Sequence, residues 1–357
     1  MAAVALLSIV PFLLGDSKPD ILNQDLFLLD NVSRRIHGQI VDYTNNHGRD
    51  LRIFSASLQK PMPLYVYLPP HYDPELRYPV LIILHGILQD EKGFLRYAVE
   101  PMDQAIACGQ LPPMIIVSPN GVIEGHHSHH KPGSFFINGP AGNFQDWIVN
   151  DVWNFVNANY SVRPERAAHV LSGISMGGFG AYNIAIKHRD RFQIVVGVLP
   201  ALNIRWVDAQ GNYRGKFSPG NWGWRETPAD PNEIIGSLLG GLVKFRVKDF
   251  IFPAFGVGWE GLQKASEENP IELVDRLHLK NGELDMFVGY AGRDEFNLDA
   301  QAESFIYLCE SRGIKVTVYY DPNGTHSAST ATKMAPTVID WIGERLRASG
   351  IDGPSPK

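Results

Sequence analysis

The sequence predicts an α/β protein with a mostly parallel, doubly wound sheet, and two observations predict it. Short strand-like runs alternate with longer helix-like runs along most of the chain. Several of the short runs are apolar throughout, as expected for strands covered on both faces.

Taken in order, Leu64–Leu68 (LYVYL) and Val80–Leu84 (VLIIL) read as strands. Residues 114–118 (MIIVS), 169–172, 194–199, 285–289 (DMFVG) and 314–319 (IKVTVY) continue the series. Helices fit between them. After Pro101, Met102, Ala105 and Ile106 share one face. Asn143 is placed to cap a helix through Asn159, with Asp146 three residues on. Leu298, Ala302, Phe305, Ile306 and Cys309 form an amphipathic stripe, and Val338, Trp341, Ile342 and Leu346 form another in the last helix. Residues 201–268 break the rhythm. They carry Trp206, Trp222, Trp224 and Trp259, and read as a tryptophan-rich insertion over one end of the sheet, not a second domain. Trp206, Trp222 and Trp224 are candidates to line a substrate pocket. Packing of the segment by its own aromatics is the competing reading.

Composition bounds the function. The 357 residues are 44% hydrophobic and 20% charged, which suits a globular chain and excludes a disordered one. The 32 basic and 38 acidic residues give a net charge of −6, with no long basic block, so nucleic acid is not an expected partner. Two cysteines, Cys108 and Cys309, exclude a disulfide scaffold and an all-cysteine zinc site. They are expected as two free thiols. Residues 2–14 (AAVALLSIVPFLL) are too short to span a bilayer as a helix. Two readings stay open for them: an export signal or membrane-contacting segment, or an N-terminal helix docked on the body. The domain expectation is an N-terminal extension over 1–60, one catalytic domain over 61–347 containing the insertion, and a loose tail over 348–357. Oligomeric state is not legible.

The chemistry lies in three short turns. Gly173-Ile174-Ser175-Met176-Gly177 follows a strand and precedes a helical run, the context a nucleophile elbow requires. The turn is so tight that the residues flanking Ser175 must be small. A serine hydroxyl needs an adjacent base, and His326, in a loop after the last strand, is the candidate. Asp294, just past the strand at 285–289, is the candidate acid that orients it; Glu295 is the rival. The order Ser175, Asp294, His326 is that of the α/β-hydrolases, and each member follows the C-terminal end of a strand. Backbone N–H groups of Met176 and of Ile87, in Leu84-His85-Gly86-Ile87, are the candidate oxyanion donors. Asn138 is a candidate substrate contact, with a turn role as its alternative. The histidine-rich stretch Glu124-Gly125-His126-His127-Ser128-His129-His130 reads as a solvated or pocket-rim loop, with a metal site as its alternative, and no metal or cofactor is expected.

These segments, together with Pro112-Pro113-Met114-Ile115-Ile116-Val117 and Gly133-Ser134-Phe135-Phe136-Ile137-Asn138, resemble the putative-esterase family of α/β-hydrolases, which includes esterase D, feruloyl and acetylxylan esterases and mycolyltransferases. The resemblance runs from about Pro63 to Leu346. It implies an α/β-hydrolase fold and maps Ser175, Asp294 and His326 onto the family's triad. It implies a serine carboxylic-ester hydrolase acting on a small-molecule or carbohydrate-linked ester. The alternatives are an acyltransferase to a sugar or lipid alcohol and a non-catalytic binding homologue.

Overall fold

The computed structural model describes residues 27–123, 132–238 and 241–357. The apolar segment at 2–14 and the His126–His130 cluster lie outside the described residues.

Eight strands form one sheet: β1 (Gln39–Tyr43), β2 (Leu64–Leu68), β3 (Val80–Leu84), β4 (Ile115–Pro119), β5 (His169–Ile174), β6 (Ile194–Val198), β7 (Asp285–Ala291) and β8 (Thr317–Asp321). Their spatial order is β1-β2-β4-β3-β5-β6-β7-β8. From β4 to β8 all neighbours are parallel, whereas β1 and β2 join antiparallel at one edge. This is the α/β-hydrolase sheet. The period-2 alternation of a strand sorts its side chains into two cores. Leu64, Val66 and Leu68 enter one core, and Tyr65 and Tyr67 enter the other.

Helix α1 (Val99–Ala107) packs in one layer with the last helix, α5 (Ala328–Ala348). Helices α2 (Trp153–Asn159), α3 (Met176–Lys187) and α4 (Leu298–Ser311) belong to the other. Cys108, at the end of α1, and Cys309, in α4, are free and lie on opposite faces of the sheet.

Several expectations need correcting. The last strand starts three residues later, and ends two later, than its apolar pattern suggests, because β8 is an edge strand with exposed faces. The extension before residue 60 supplies β1, whose half-buried residues carry no strong alternation. Residues 144–159 do not form one regular helix: a short turn leads into a widened π turn over Trp147–Val152 before α2 begins. Asn143 makes no capping bond. That task falls to Asn138, whose Oδ1 accepts the N–H groups of Gln145 and Asp146, both at 3.1 Å. The C-terminal tail is not loose, because Ser355–Pro356 pairs with Leu76–Arg77 and Ile351 is buried.

The insertion lies between β6 and β7. It contains two small hairpins, Trp206–Val207 with Gly223–Trp224 and Ile234–Leu238 with Val243–Arg246, and a run of helices through Arg276. Among the described residues no helix is long and apolar enough to cross a membrane.

Candidate active site

Strand β5 ends at Ile174 and helix α3 starts at Met176, so one residue, Ser175, makes the whole turn. It does so at φ 54° and ψ −116°, a region side chains rarely occupy. The surroundings hold it there: its N–H donates to the Val198 carbonyl at 2.9 Å, and its carbonyl accepts from Phe179 at 3.1 Å. A Cβ on Gly173 would fall into the Gly177 carbonyl, and one on Gly177 would strike the Leu84 carbonyl. The two flanking glycines are therefore steric requirements of the turn. Met176 and Gly177 open α3, where backbone N–H groups have no acceptor within the helix.

His326 comes from the loop between β8 and α5. Its Nε2 lies 3.0 Å from Ser175 Oγ, and its Nδ1 lies 2.8 Å from Asp294 Oδ2. Asp294 is in the turn after β7. Its side chain is 1% exposed, and its Oδ1 accepts the Phe296 N–H at 2.8 Å. Because Asp294 accepts, the proton on the neutral ring sits on Nδ1, leaving Nε2 as an acceptor toward the serine. Burial opposes the imidazolium, but Asp294, by charge and hydrogen bond, and Glu295, by charge, outweigh it, so the His326 pKa is raised. Glu295 does not touch the ring; its carboxylate accepts the His326 backbone N–H at 2.7 Å.

The loop after β3 completes this end of the site. His85 is buried and uses both ring nitrogens: Nδ1 donates to the Gly86 carbonyl at 2.9 Å, and Nε2 accepts the Gly121 N–H at 2.8 Å. Burial lowers its pKa, which keeps the ring neutral. The Gly86 carbonyl and the Ile87 N–H belong to one planar peptide unit, so His85 fixes the direction of that N–H. Gln89 Oε1 holds the Gly86 N–H at 3.1 Å.

A cavity of about 510 Å³ opens over these residues. Gly86, Ile87, Ser175, Met176 and His326 form its floor, and the insertion supplies much of its wall, including Tyr213, Val247, Phe250 and Phe252. Arg205 and Arg225 are polar points on that wall, held by ion pairs to Glu272 and Glu233 at 2.7 and 2.6 Å. Sequence reasoning named none of these insertion residues. The run Val247–Phe255, apolar apart from Lys248 and Asp249 in a Gly- and Pro-rich stretch, was the available signal.

The residues expected to contact substrate fare differently. Trp206 is fully buried and donates Nε1 to the Tyr213 carbonyl at 3.1 Å. Trp222 and Trp224 stack edge-on at 5.3 Å, and Trp222 also meets Tyr307 at 6.2 Å. None of the three tryptophans lines the cavity: Trp206 is buried, and Trp222 and Trp224 are half-buried against the main core. Asn138 is also off the wall, since its side-chain oxygen is committed to the cap described above. Among the described residues, no cluster of three or more His, Cys, Asp or Glu side chains could hold a metal ion.

An eight-stranded, mostly parallel sheet with a strained serine at a strand–helix turn defines an α/β-hydrolase. Comparison with known proteins narrows the class: a family model described as "Putative esterase" matches residues 55–336. The chain belongs to this putative-esterase family. An acetyl esterase of Caldicellulosiruptor saccharolyticus is 22% identical over 200 residues, covering 56% of this chain and 63% of the relative. An S-formylglutathione hydrolase of Arabidopsis thaliana is 24% identical over 169 residues, covering 44% of this chain and 58% of the relative. The chain thus spans less than two thirds of either curated relative. The solved structure of a ferulic acid esterase superposes with a TM-score of 0.63 at 20% identity, covering 87% of this chain and 99% of that one. At that identity the likeness shows the fold.

Proposed function

We propose that this protein is a metal-independent serine carboxylic-ester hydrolase in which Ser175, His326 and Asp294 form the catalytic triad. The observation that carries the reading is the unbroken hydrogen-bonded line from Ser175 Oγ through His326 to Asp294, on the floor of the cavity. Ser175 attacks the ester carbonyl while His326 Nε2 takes its proton. Asp294 stabilises the imidazolium, which then protonates the leaving alcohol. Water, activated by His326, hydrolyses the acyl-enzyme. The N–H groups of Met176 and Ile87 receive the oxyanion, and losing one such donor typically costs about 3–4 kcal/mol.

The cavity suits a small-molecule ester with an apolar body, because its wall is largely aliphatic and aromatic, with Gln89, Arg205, Arg225, Glu233 and Gln301 among its polar points. Transfer to a sugar alcohol drew its support from tryptophans stacking on a sugar. Trp206, Trp222 and Trp224 do not line the cavity, which favours hydrolysis over transfer to a sugar alcohol.

Ser175→Ala tests the mechanism. The variant is expected to fold with an unchanged circular-dichroism spectrum and to lose hydrolysis of a short p-nitrophenyl ester. Full activity in that variant would overturn the assignment. A panel of acetyl, butyryl, feruloyl and longer acyl esters, assayed on the wild type, defines the acyl preference.

A further inference from the structure

Beside the triad stands a second carboxylate. Glu295 directly follows Asp294 in the chain, and its side chain lines the cavity with Ser175 and His326. The turn that presents it is fixed, because Asp294 Oδ1 accepts from Phe296 N–H and the Asp294 carbonyl accepts from Asn297 N–H at 3.2 Å. Glu295 reaches across to the other loop of the site, where its Oε2 accepts the backbone N–H of His326 at 2.7 Å. The neighbours of His326 are held within their own loop: Thr325 N–H donates to Thr330 Oγ1, and Ser327 N–H donates to the Thr325 carbonyl. The main chain of His326 itself is tied to the opposite turn, by a charge-assisted bond of a strong type.

We propose that Glu295 is a positioning residue that clamps the backbone of His326, so that the imidazole lies in line between Asp294 and Ser175. This rests on the triad reading given above. A histidine ring is aimed by its Cα position as well as by the partner at Nδ1. Asp294 fixes one ring nitrogen, but only a fixed main chain sets where Nε2 points. The Phe296 ring packs against the imidazole at 4.9 Å and limits its tilt. The Glu295 charge acts on the same ring. The groups around it are Asp294 and Glu295 from the turn after β7, Ser175 from the elbow, and Asp299 on α4 behind Asp294. Arg214 of the insertion donates to the Glu295 carbonyl at 2.7 Å. Two carboxylates therefore favour the imidazolium that forms when Ser175 gives up its proton.

Two substitutions separate clamp from charge. Glu295→Gln keeps an oxygen acceptor of the same reach and removes the charge, whereas Glu295→Ala removes both. With p-nitrophenyl butyrate, Glu295→Ala is expected to lower kcat by about tenfold to a hundredfold, the loss typical of a misplaced catalytic group, with KM changed less than about twofold. Glu295→Gln is expected to restore most of kcat. It should also move the acidic limb of the kcat/KM profile to lower pH, because one of the two charges favouring the imidazolium is gone. A purely structural residue would not move that limb.

Wild-type kcat in Glu295→Ala, a Glu295→Gln variant as impaired as Glu295→Ala, or a rise in KM with kcat unchanged would each overturn the clamp. Should Glu295→Ala fail to fold, Glu295→Leu, which keeps the bulk and removes the acceptor, decides in its place: wild-type kcat there overturns the clamp. Ser175→Ala, assayed in parallel, separates this outcome from failure of the triad reading, which would appear as retained activity in that variant.

Discussion

Asp294→Asn changes where a proton sits while leaving the shape of the site almost untouched. In the wild type the Asp294 carboxylate meets donors on both sides: His326 Nδ1 at 2.8 Å on Oδ2, and the Phe296 and Leu298 N–H groups at 2.8 and 3.4 Å on Oδ1. A carboxylate can do this because it only accepts. An amide cannot. With its oxygen toward the two backbone donors, its NH₂ group faces Nδ1, which must then become an acceptor. The ring proton moves to Nε2, directly opposite Ser175 Oγ, and the base is lost. With the amide flipped, the productive tautomer returns, but NH₂ meets backbone N–H groups in a buried turn. An unsatisfied buried donor costs about 1–3 kcal/mol, so the unproductive tautomer dominates. Losing the charge that stabilises the imidazolium removes a further 1.5–3 kcal/mol or so. Taken together these effects amount to about 4–5 kcal/mol, or a fall in kcat of roughly 10³–10⁴ at 1.36 kcal/mol per decade. Steady-state hydrolysis of p-nitrophenyl butyrate at constant pH reads the loss, and thermal unfolding checks that the variant is folded. A folded variant within tenfold of wild-type kcat would refute the reasoning, because Asp294 would then not set the tautomer of His326.

Three further outcomes are expected. The raised pKa of His326, which must be neutral to act as a base, places the acidic limb of kcat/KM above the ordinary 6.5; a limb below 6 in the pH profile would contradict this. Burial, with Asp294 nearby, pushes the Asp299 carboxyl up from 3.8 to about 6. The folded state therefore holds a proton that the unfolded chain releases, so this group's contribution to stability is present below pH 3.8 and is lost as pH rises through about 6. The stability of Asp299→Asn relative to wild type should accordingly grow between pH 4 and pH 7, by about 1 kcal/mol once partial exposure is allowed for; a difference in melting temperature that stays constant with pH would count against it. Cys108 is exposed, whereas Cys309 is buried with its thiol pKa raised chiefly by burial. Ellman's reagent should therefore titrate one thiol quickly in the native protein and two in urea, and two fast thiols in the native state would be inconsistent with this packing.

The parts of the fold that were legible in the sequence are those buried on both faces. Strands β2 and β3 are apolar at every position, and their limits follow directly from the pattern. Edge elements were not legible in the same way. β1 and β8 carry mixed residues because one side of each is wet, so β1 has no strand signal and the apolar pattern places β8 too early. The short pairing of Ser355–Pro356 with Leu76–Arg77 has no periodic signal at all, because its stability comes from a distant partner.

The site divides along the same line. A turn as tight as the one at Ser175 admits only glycine at Gly173 and Gly177, and that steric rule is written locally in the chain. The members Ser175, Asp294 and His326 could be named because each follows a strand end, and strand ends in a parallel sheet converge on one edge. The sequence alone therefore determined the sheet, the turn and the residues brought to that edge. Only the tertiary structure decided how the remaining polar and aromatic side chains were used. It committed Asn138 to a cap, packed Trp206, Trp222 and Trp224 away from the cavity, and set Glu295 against the main chain of His326. Those roles depend on partners up to dozens of residues away, and a side chain's chemistry does not reveal which of several possible partners packing will bring within 3 Å or so.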